Sequence, residues 1–181
     1  VPDSFYDKYK KEDVKEKLKK MYKELCCYCE SNIGVVEFGH IEHRKPKKKY
    51  PHSCFDWDNL HLSCTACNGM KGSQYDESNS ILDAVNDTPI TDHLTYRSDE
   101  FGVWRENKTE RGWTTIKHPD LNRETLRLTR AKLLLKVFQL IKEIKQNPNC
   151  PKINLTRQRL KAMCQGQYGS VVTYAIEDFD L

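Results

Sequence analysis

The sequence predicts an α+β chain: a strand–strand–helix core stapled by thiols, with a helix before it and a mainly helical region after it. Three observations predict this. Two Cys-x-x-Cys pairs, Cys26/Cys29 and Cys64/Cys67, enclose short β-rich runs and the start of a helix. A lysine-rich segment over 7–25 repeats apolar residues at three- and four-residue steps. A longer apolar stripe runs over 122–146. The expected divisions are 1–25 for the first helix, 26–75 for the core, 76–118 for a mixed segment and 119–181 for the helical region.

Length and composition set the bounds. A chain of 181 residues, 38% hydrophobic and 31% charged, is globular and long enough for a core of its own. The net charge of +4 says little by itself, but Arg44, Lys45, Lys47, Lys48 and Lys49 fall together. No apolar run approaches the length that spans a bilayer, and no secretory signal is visible. The chain begins at Val1 rather than Met, so N-terminal residues are expected to precede it. Eight cysteines without an export signal point to a reducing cytosol and to metal rather than disulfides.

In the first helix, Val14, Leu18, Met21, Tyr22 and Leu25 mark the buried stripe, and the interspersed lysines read as a solvated face. Cys26 and Cys29 follow at once. Cys27 is an alternative first thiol, though its spacing to Cys29 is tight for a metal knuckle. Val35, Val36, Phe38 and Ile41 suggest a strand running into Glu42 and His43. Strict alternation points those two side chains to opposite faces, so both serve one site only if the strand ends or bulges there. Pro46 agrees with an ending. Residues 44–56 read as a loop whose basic residues sit on phosphates or simply face water. Leu60 and Leu62 suggest a second strand, and Cys64 to about Tyr75 the turn into a helix. Ile81, Leu82 and Val85 fit a short helix. Phe101-Gly102-Val103-Trp104 and Trp113-Thr114-Thr115-Ile116 read as a hairpin, and Asp92-His93 as a structural pair. Asn122 is the expected cap of the long helix, whose stripe is Leu126, Leu133, Val137, Leu140 and Ile144, widened by Leu134, Phe138 and Ile141. So broad a face is buried in the core or under a partner. Asn147-Pro148 ends it, Leu155 to Cys164 suggests one more helix, and Glu177, Asp178 and Asp180 make the tail acidic.

The chemistry concentrates between Cys26 and Gly72. Two thiol pairs 34 residues apart form a closed, all-sulfur site suited to structural zinc, with Cys26, Cys29, Cys64 and Cys67 as ligands. Cys27, Cys54, Cys150 and Cys164 lack metal spacing and read as small buried hydrophobes. His43 can take a proton near neutral pH. Glu42 and Asn68 offer oxygen ligands to Mg²⁺ or Mn²⁺. Asn59 can orient the histidine, and Arg44, Lys45, Lys47, Lys48, Lys49 and Lys71 are candidate phosphate contacts. Phosphodiester hydrolysis needs such a set: an activated water, and a cation that stabilises the phosphate and the leaving oxygen.

Tyr28-Cys29-Glu30, Ile41-Glu42-His43-x-x-Pro46-Lys47, Trp57-x-Asn59-Leu60 and Cys64-x-x-Cys67-Asn68-x-x-Lys71-Gly72 together resemble the HNH endonucleases. The resemblance covers about a quarter of the chain. It implies a ββα-metal core of two strands and a helix around one metal. It also implies His43 as general base, Glu42 as the acidic ligand, Asn59 as the middle asparagine and Asn68 at the third position, where the family often has histidine. The Glu42-His43-x-x-Pro46-Lys47 form, with Asp92-His93-Leu94, Leu121-Asn122 and the arginine-rich helix, is similar to the HNH subunits of Septu anti-phage systems and of retrons carrying Septu-type effectors. That similarity implies an effector nuclease in the bacterial cytoplasm. Its implied partners are an ABC-type ATPase subunit, a retron reverse transcriptase with its RNA–DNA, and a nucleic-acid substrate, DNA or RNA, transfer RNA included. The competing readings are a zinc-stabilised nucleic-acid-binding module without catalysis and an adaptor that holds the ATPase.

Overall fold

The computed structural model describes residues 12–34, 39–87 and 89–178. The start of the N-terminal helix, the strand expected over Val35, Val36 and Phe38, and the end of the acidic tail lie outside the described residues. The chain divides into two units, residues 1–94 with 107–121, and residues 95–106 with 122–181.

The first unit holds the strand–strand–helix core. Helix α1 (Glu12–Met21) buries Leu18 completely, and Glu12 and Asp13 favour its positive N-terminus. It ends where Lys23 and Glu24 take left-handed backbone angles. Strand β1 (His40–His43) pairs antiparallel with β2 (Leu60–Ser63), setting Ile41 against Leu62, Glu42 against His61 and His43 against Leu60. Gly39 leads into β1 at φ +60°, and a Cβ there would stand 2.7 Å from Ile33 Cγ2, so no other residue fits without displacement. All four residues of β2 are buried. Helix α2 (Thr65–Lys71) starts from Cys64, whose sulfur accepts the amide of Cys67, and ends at Gly72, φ +50°.

Two expectations fail in the stretch that follows. Ile81 and Leu82 are buried in irregular chain, and Val85 lies in a turn. Asp83 forms that turn by accepting the amides of Val85 and Asn86, which competes with a helix. Trp113-Thr114-Thr115-Ile116 is not a strand but the middle of helix α3 (Glu110–Lys117). Thr109 caps that helix by accepting from Gly112 N. Thr114 and Thr115 turn their hydroxyls onto the carbonyls four residues back, so β-branched side chains sit in a helix with their polar atoms bonded. His93, of the expected structural pair, bonds the Thr109 hydroxyl through Nδ1 at 2.8 Å.

The second unit begins with a hairpin of β3 (Leu94–Asp99) and β4 (Gly102–Asn107), whose residues 95–106 belong to it. Three helices complete it: α4 (Glu124–Gln146), α5 (Ile153–Cys164) and α6 (Gly169–Asp178), each packed on the other two. Helix α6 was not among the individual elements expected, although it lies in the region expected to be helical. Asn122 does not cap α4. Its carboxamide accepts Arg105 N at 2.7 Å and donates to Arg105 O at 2.9 Å, which occupies it completely on that side of β4. Most of the broad face of α4 is core: Leu126, Leu134, Val137, Ile141 and Ile144 are buried. Leu128 and Leu135, two turns apart, remain exposed, as does Leu155 of α5.

Candidate active site and thiol cluster

The four expected thiols meet. The sulfurs of Cys26, Cys29, Cys64 and Cys67 all lie within 4.8 Å of one another, and all four residues are buried. Cys29 Sγ and Cys64 Sγ are 3.8 Å apart. A tetrahedral ion with metal–sulfur bonds of about 2.3 Å separates its sulfurs by roughly 3.8 Å, so the spacing fits zinc. Hydrogen bonds from Cys26 first, then from Cys64 and Cys67, hold Cys29 well below the ordinary thiol range. Cys26 is pushed the other way, by Cys27 first, as are Cys64 and Cys67, by Cys26 first, so the deprotonated form that a metal-binding thiol needs is favoured at one sulfur of the four. Cys27 stands outside the cluster, and its amide bonds Leu62 O at 2.8 Å.

Next to this cluster, β1 ends and turns. His43 is 7% exposed, and its Nε2 lies 3.0 Å from the carbonyl oxygen of Cys54. A carbonyl only accepts, so Nε2 carries the proton and Nδ1 is the basic nitrogen of the neutral ring. Burial lowers the His43 pKa below the ordinary imidazole value; Lys47 and Lys71 add to this, while the bond to Cys54 opposes it. Cys54 thus supplies an anchor that no residue pattern announced. Asn59 works one step further out. Its Oδ1 accepts Lys45 N at 2.7 Å, and its Nδ2 donates to Lys45 O and Ser53 O at 3.1 and 2.9 Å. It therefore fastens both ends of the loop that carries Cys54.

Glu42 is 4% exposed. Lys71 Nζ stands 2.6 Å from its Oε1, and the Tyr28 hydroxyl donates to the same oxygen at 3.2 Å. Burial nonetheless raises the Glu42 pKa, Lys71 and Tyr28 pulling the other way. Lys71 also donates to His43 O at 2.9 Å. Glu42, His43 and Asn68 line one cleft of about 220 Å³ together with Lys47 and Lys48. The alternation problem is therefore solved by the end of the strand and by what grips it. The carboxylate of Glu42 and the side-chain oxygen of Asn68 are hard donors suited to a magnesium-like cation.

The basic residues separate into two groups. Lys47 is half-buried at the cleft, Lys48 is exposed there, and Lys49 is exposed beside it. Lys45 is half-buried, with Nζ 6.0 Å from the Tyr50 ring. Arg44 and Lys71 turn inward, against the expectation that they meet phosphates. Arg44 Nε lies 3.8 Å from Asp83 Oδ2 and its Nη1 donates to Ile81 O, while Lys71 is fully buried on Glu42. Each has an internal acceptor that is distant in sequence. The Tyr22 hydroxyl and His61 Nδ1 are hydrogen-bonded at 2.5 Å, and His61 Nε2 is 4.0 Å from Asp83 Oδ2.

Residues 26–74 match the model of the HNH endonuclease family. This stretch is an HNH domain. Its two strands, its helix and its thiol cluster have the α+β, ββα-metal arrangement expected of such domains. The HNH domain and its surroundings are also similar to curated proteins. A Septu protein PtuB of Bacillus mycoides (strain KBAB4) is 31% identical over 158 residues, covering 71% of this chain and 53% of that protein. A Septu protein PtuB of Bacillus thuringiensis is 32% identical over 110 residues, covering 60% of this chain and 41% of that protein. A protein of Vibrio cholerae serotype O1 biovar El Tor, whose name joins retron Vc95 with an HNH endonuclease, is 28% identical over 146 residues, covering 76% and 71%. The chain spans about half the length of the two Septu relatives.

Proposed function

We propose that the protein hydrolyses phosphodiester bonds in nucleic acid at the Glu42–His43–Asn68 cleft. The observation that carries this reading is the convergence of those three side chains on one cleft, with His43 locked as the Nε2–H form by Cys54. His43 Nδ1 takes the proton of the attacking water, and burial keeps that nitrogen unprotonated at neutral pH. Asn59 positions the histidine through the loop it fastens. Lys47, Lys48 and Lys49, with Lys45, meet the phosphates flanking the scissile bond. Glu42 and Asn68 would hold one Mg²⁺ or Mn²⁺, which supplies charge stabilisation to the phosphate and the leaving oxygen. Cys26, Cys29, Cys64 and Cys67 would hold zinc in a closed, structural role.

The Septu and retron relatives support a place in anti-phage defence, beside an ABC-type ATPase subunit and, in retrons, a reverse transcriptase with its RNA–DNA. The exposed Leu128, Leu135 and Leu155 are the apolar positions we assign to that assembly. Among the described residues no helix is long and apolar enough to cross a membrane. The bacterial cytoplasm is the compartment this reading requires. The test is purified protein, alone and with the proteins encoded beside it, on duplex DNA and on transfer RNA. Cleavage that stops with EDTA, returns with Mg²⁺ and disappears in His43→Ala supports the reading. Tight nucleic-acid binding without cleavage under all those conditions replaces it with a binding module.

A further inference from the structure

The chain carries one lysine with no exposed surface among its described residues. Lys71 is the last residue of α2 and lies beneath the end of β1, where it makes two bonds with different purposes. One reaches a side chain, Glu42 Oε1 at 2.6 Å, and the other a main-chain oxygen, His43 O at 2.9 Å. Successive residues of a strand point to opposite faces, so Glu42 and His43 share a cleft only if the peptide joining them is held in one attitude. Lys71 holds the main chain just beyond that peptide, at the His43 carbonyl, and the Glu42 carboxylate just before it at the same time. Burying an ammonium group is costly unless it is paired and hydrogen-bonded, and here both acceptors belong to the two residues in the cleft.

We propose that Lys71 is a positioning residue for the HNH site, a clamp that fixes the Glu42 carboxylate and the His43 main chain relative to each other. It has no contact with the substrate. The proposal rests on the nuclease reading above. It assigns the clamp to the sequence position Cys67-x-x-x-Lys71-Gly72, where Gly72 turns the chain away immediately after the lysine has entered. The donor is a point charge with rotatable hydrogens on a four-carbon stem, which suits two acceptors in unrelated directions better than the planar fork of arginine does.

The experiment compares wild type, Lys71→Met and Lys71→Arg. Wild-type cleavage is measured first; if wild type cleaves nothing, the nuclease reading has failed and not the clamp. With an active wild type, Lys71→Met is expected to lower kcat at least 100-fold per folded molecule, with KM within about twofold. Its affinity for a 20-mer oligonucleotide in EDTA stays within twofold, because a fully buried group touches no phosphate. Histidine ¹⁵N spectra recorded without added Mg²⁺ or Mn²⁺ should show His43 losing its single Nε2–H form in the variant. Unchanged kcat per folded molecule, or a loss confined to KM and oligonucleotide affinity, overturns the clamp. If Lys71→Met does not fold, Lys71→Arg, which keeps the charge, gives the decision. A tenfold or greater loss of kcat at constant KM supports the clamp, and wild-type kcat with a wild-type histidine spectrum reduces Lys71 to a structural cation.

Discussion

Lowering the pH should destabilise the protein through His61. The ring is 4% exposed, bonded at Nδ1 by the Tyr22 hydroxyl, with Nε2 facing Asp83 at 4.0 Å and Arg44 beyond it. Burial brings its pKa down to about 4, Asp83 opposing and Arg44 assisting. The ordinary value is about 6.5. Between those values the unfolded chain binds a proton that the folded chain refuses, so stability is complete above about pH 6.5 and is lost as pH falls toward 4. At about 1.4 kcal/mol for each pH unit, the whole window is worth about 3 kcal/mol, and the fall to pH 5.5 about 1.4 kcal/mol. For a chain of this length about 1 kcal/mol moves Tm by roughly 2–4 °C, so His61 alone should lower Tm by about 3–5 °C at pH 5.5. The assay is thermal unfolding by circular dichroism from pH 7.5 to 4.5 for wild type and His61→Gln. Glutamine can still hydrogen-bond Tyr22 but does not titrate. His43 and His118 are also held low by burial and contribute in both proteins, so the difference between the curves belongs to His61. Parallel curves from pH 6.5 to 4.5 would refute the reasoning.

Metal analysis of purified protein should find one zinc per chain, and Cys64→Ser should remove it and abolish hydrogen-exchange protection over 26–74, because a structural zinc supplies folding energy directly; full protection in zinc-free protein contradicts the thiol site. His43→Ala should lower cleavage about 10²- to 10⁴-fold with unchanged far-ultraviolet dichroism. In wild type the acid limb of kcat/KM should fall below pH 6.5, the direction set by burial of the ring, and a limb above 7 assigns the base elsewhere. Reversing Lys48 and Lys49 to glutamate should weaken oligonucleotide binding and reduce its salt dependence, measured by fluorescence anisotropy, since both side chains are exposed. Asn122→Ala should cost about 1–3 kcal/mol in urea unfolding, because two backbone groups of Arg105 lose their partner.

The thiol cluster, β2, α2 and the length of α4 were legible because each is written locally: paired cysteines, an alternating Leu60-x-Leu62, a helix-period stripe ended by Asn147-Pro148. The failures share a cause of another kind. Thr114 and Thr115 favour strands by propensity, and a cap at Thr109 with two hydroxyl-to-carbonyl bonds reverses that preference. Asn122 has the chemistry of a cap, and the main chain of Arg105 claims it first. Helix α6 is rich in β-branched residues, and Val171, Val172 and Ala175 become helical by burial against α4 and α5. The residues of the cleft were readable as residue types, but their supports were not. No local signal tells that Lys71 is internal while Lys48 is exposed, because the deciding acceptors, Glu42 and the His43 carbonyl, lie almost thirty positions away. Cys54 is recognisable only once its carbonyl is seen against the His43 ring.

The carboxamide of Asn59 has an implication for how such a protein can change over time. It satisfies main-chain groups at Lys45 and Ser53 from within, and the Pro46 carbonyl takes the amides of Lys49 and Tyr50, so the loop's shape is held by main-chain groups. None of those bonds uses the side chains of Lys48 and Lys49, which are exposed. Substitutions there change the charge beside the cleft while leaving His43 on the Cys54 carbonyl. On the nuclease reading proposed above, selection by the nucleic acids it meets can change that outer rim residue by residue, with the cleft insulated behind a single buried side chain.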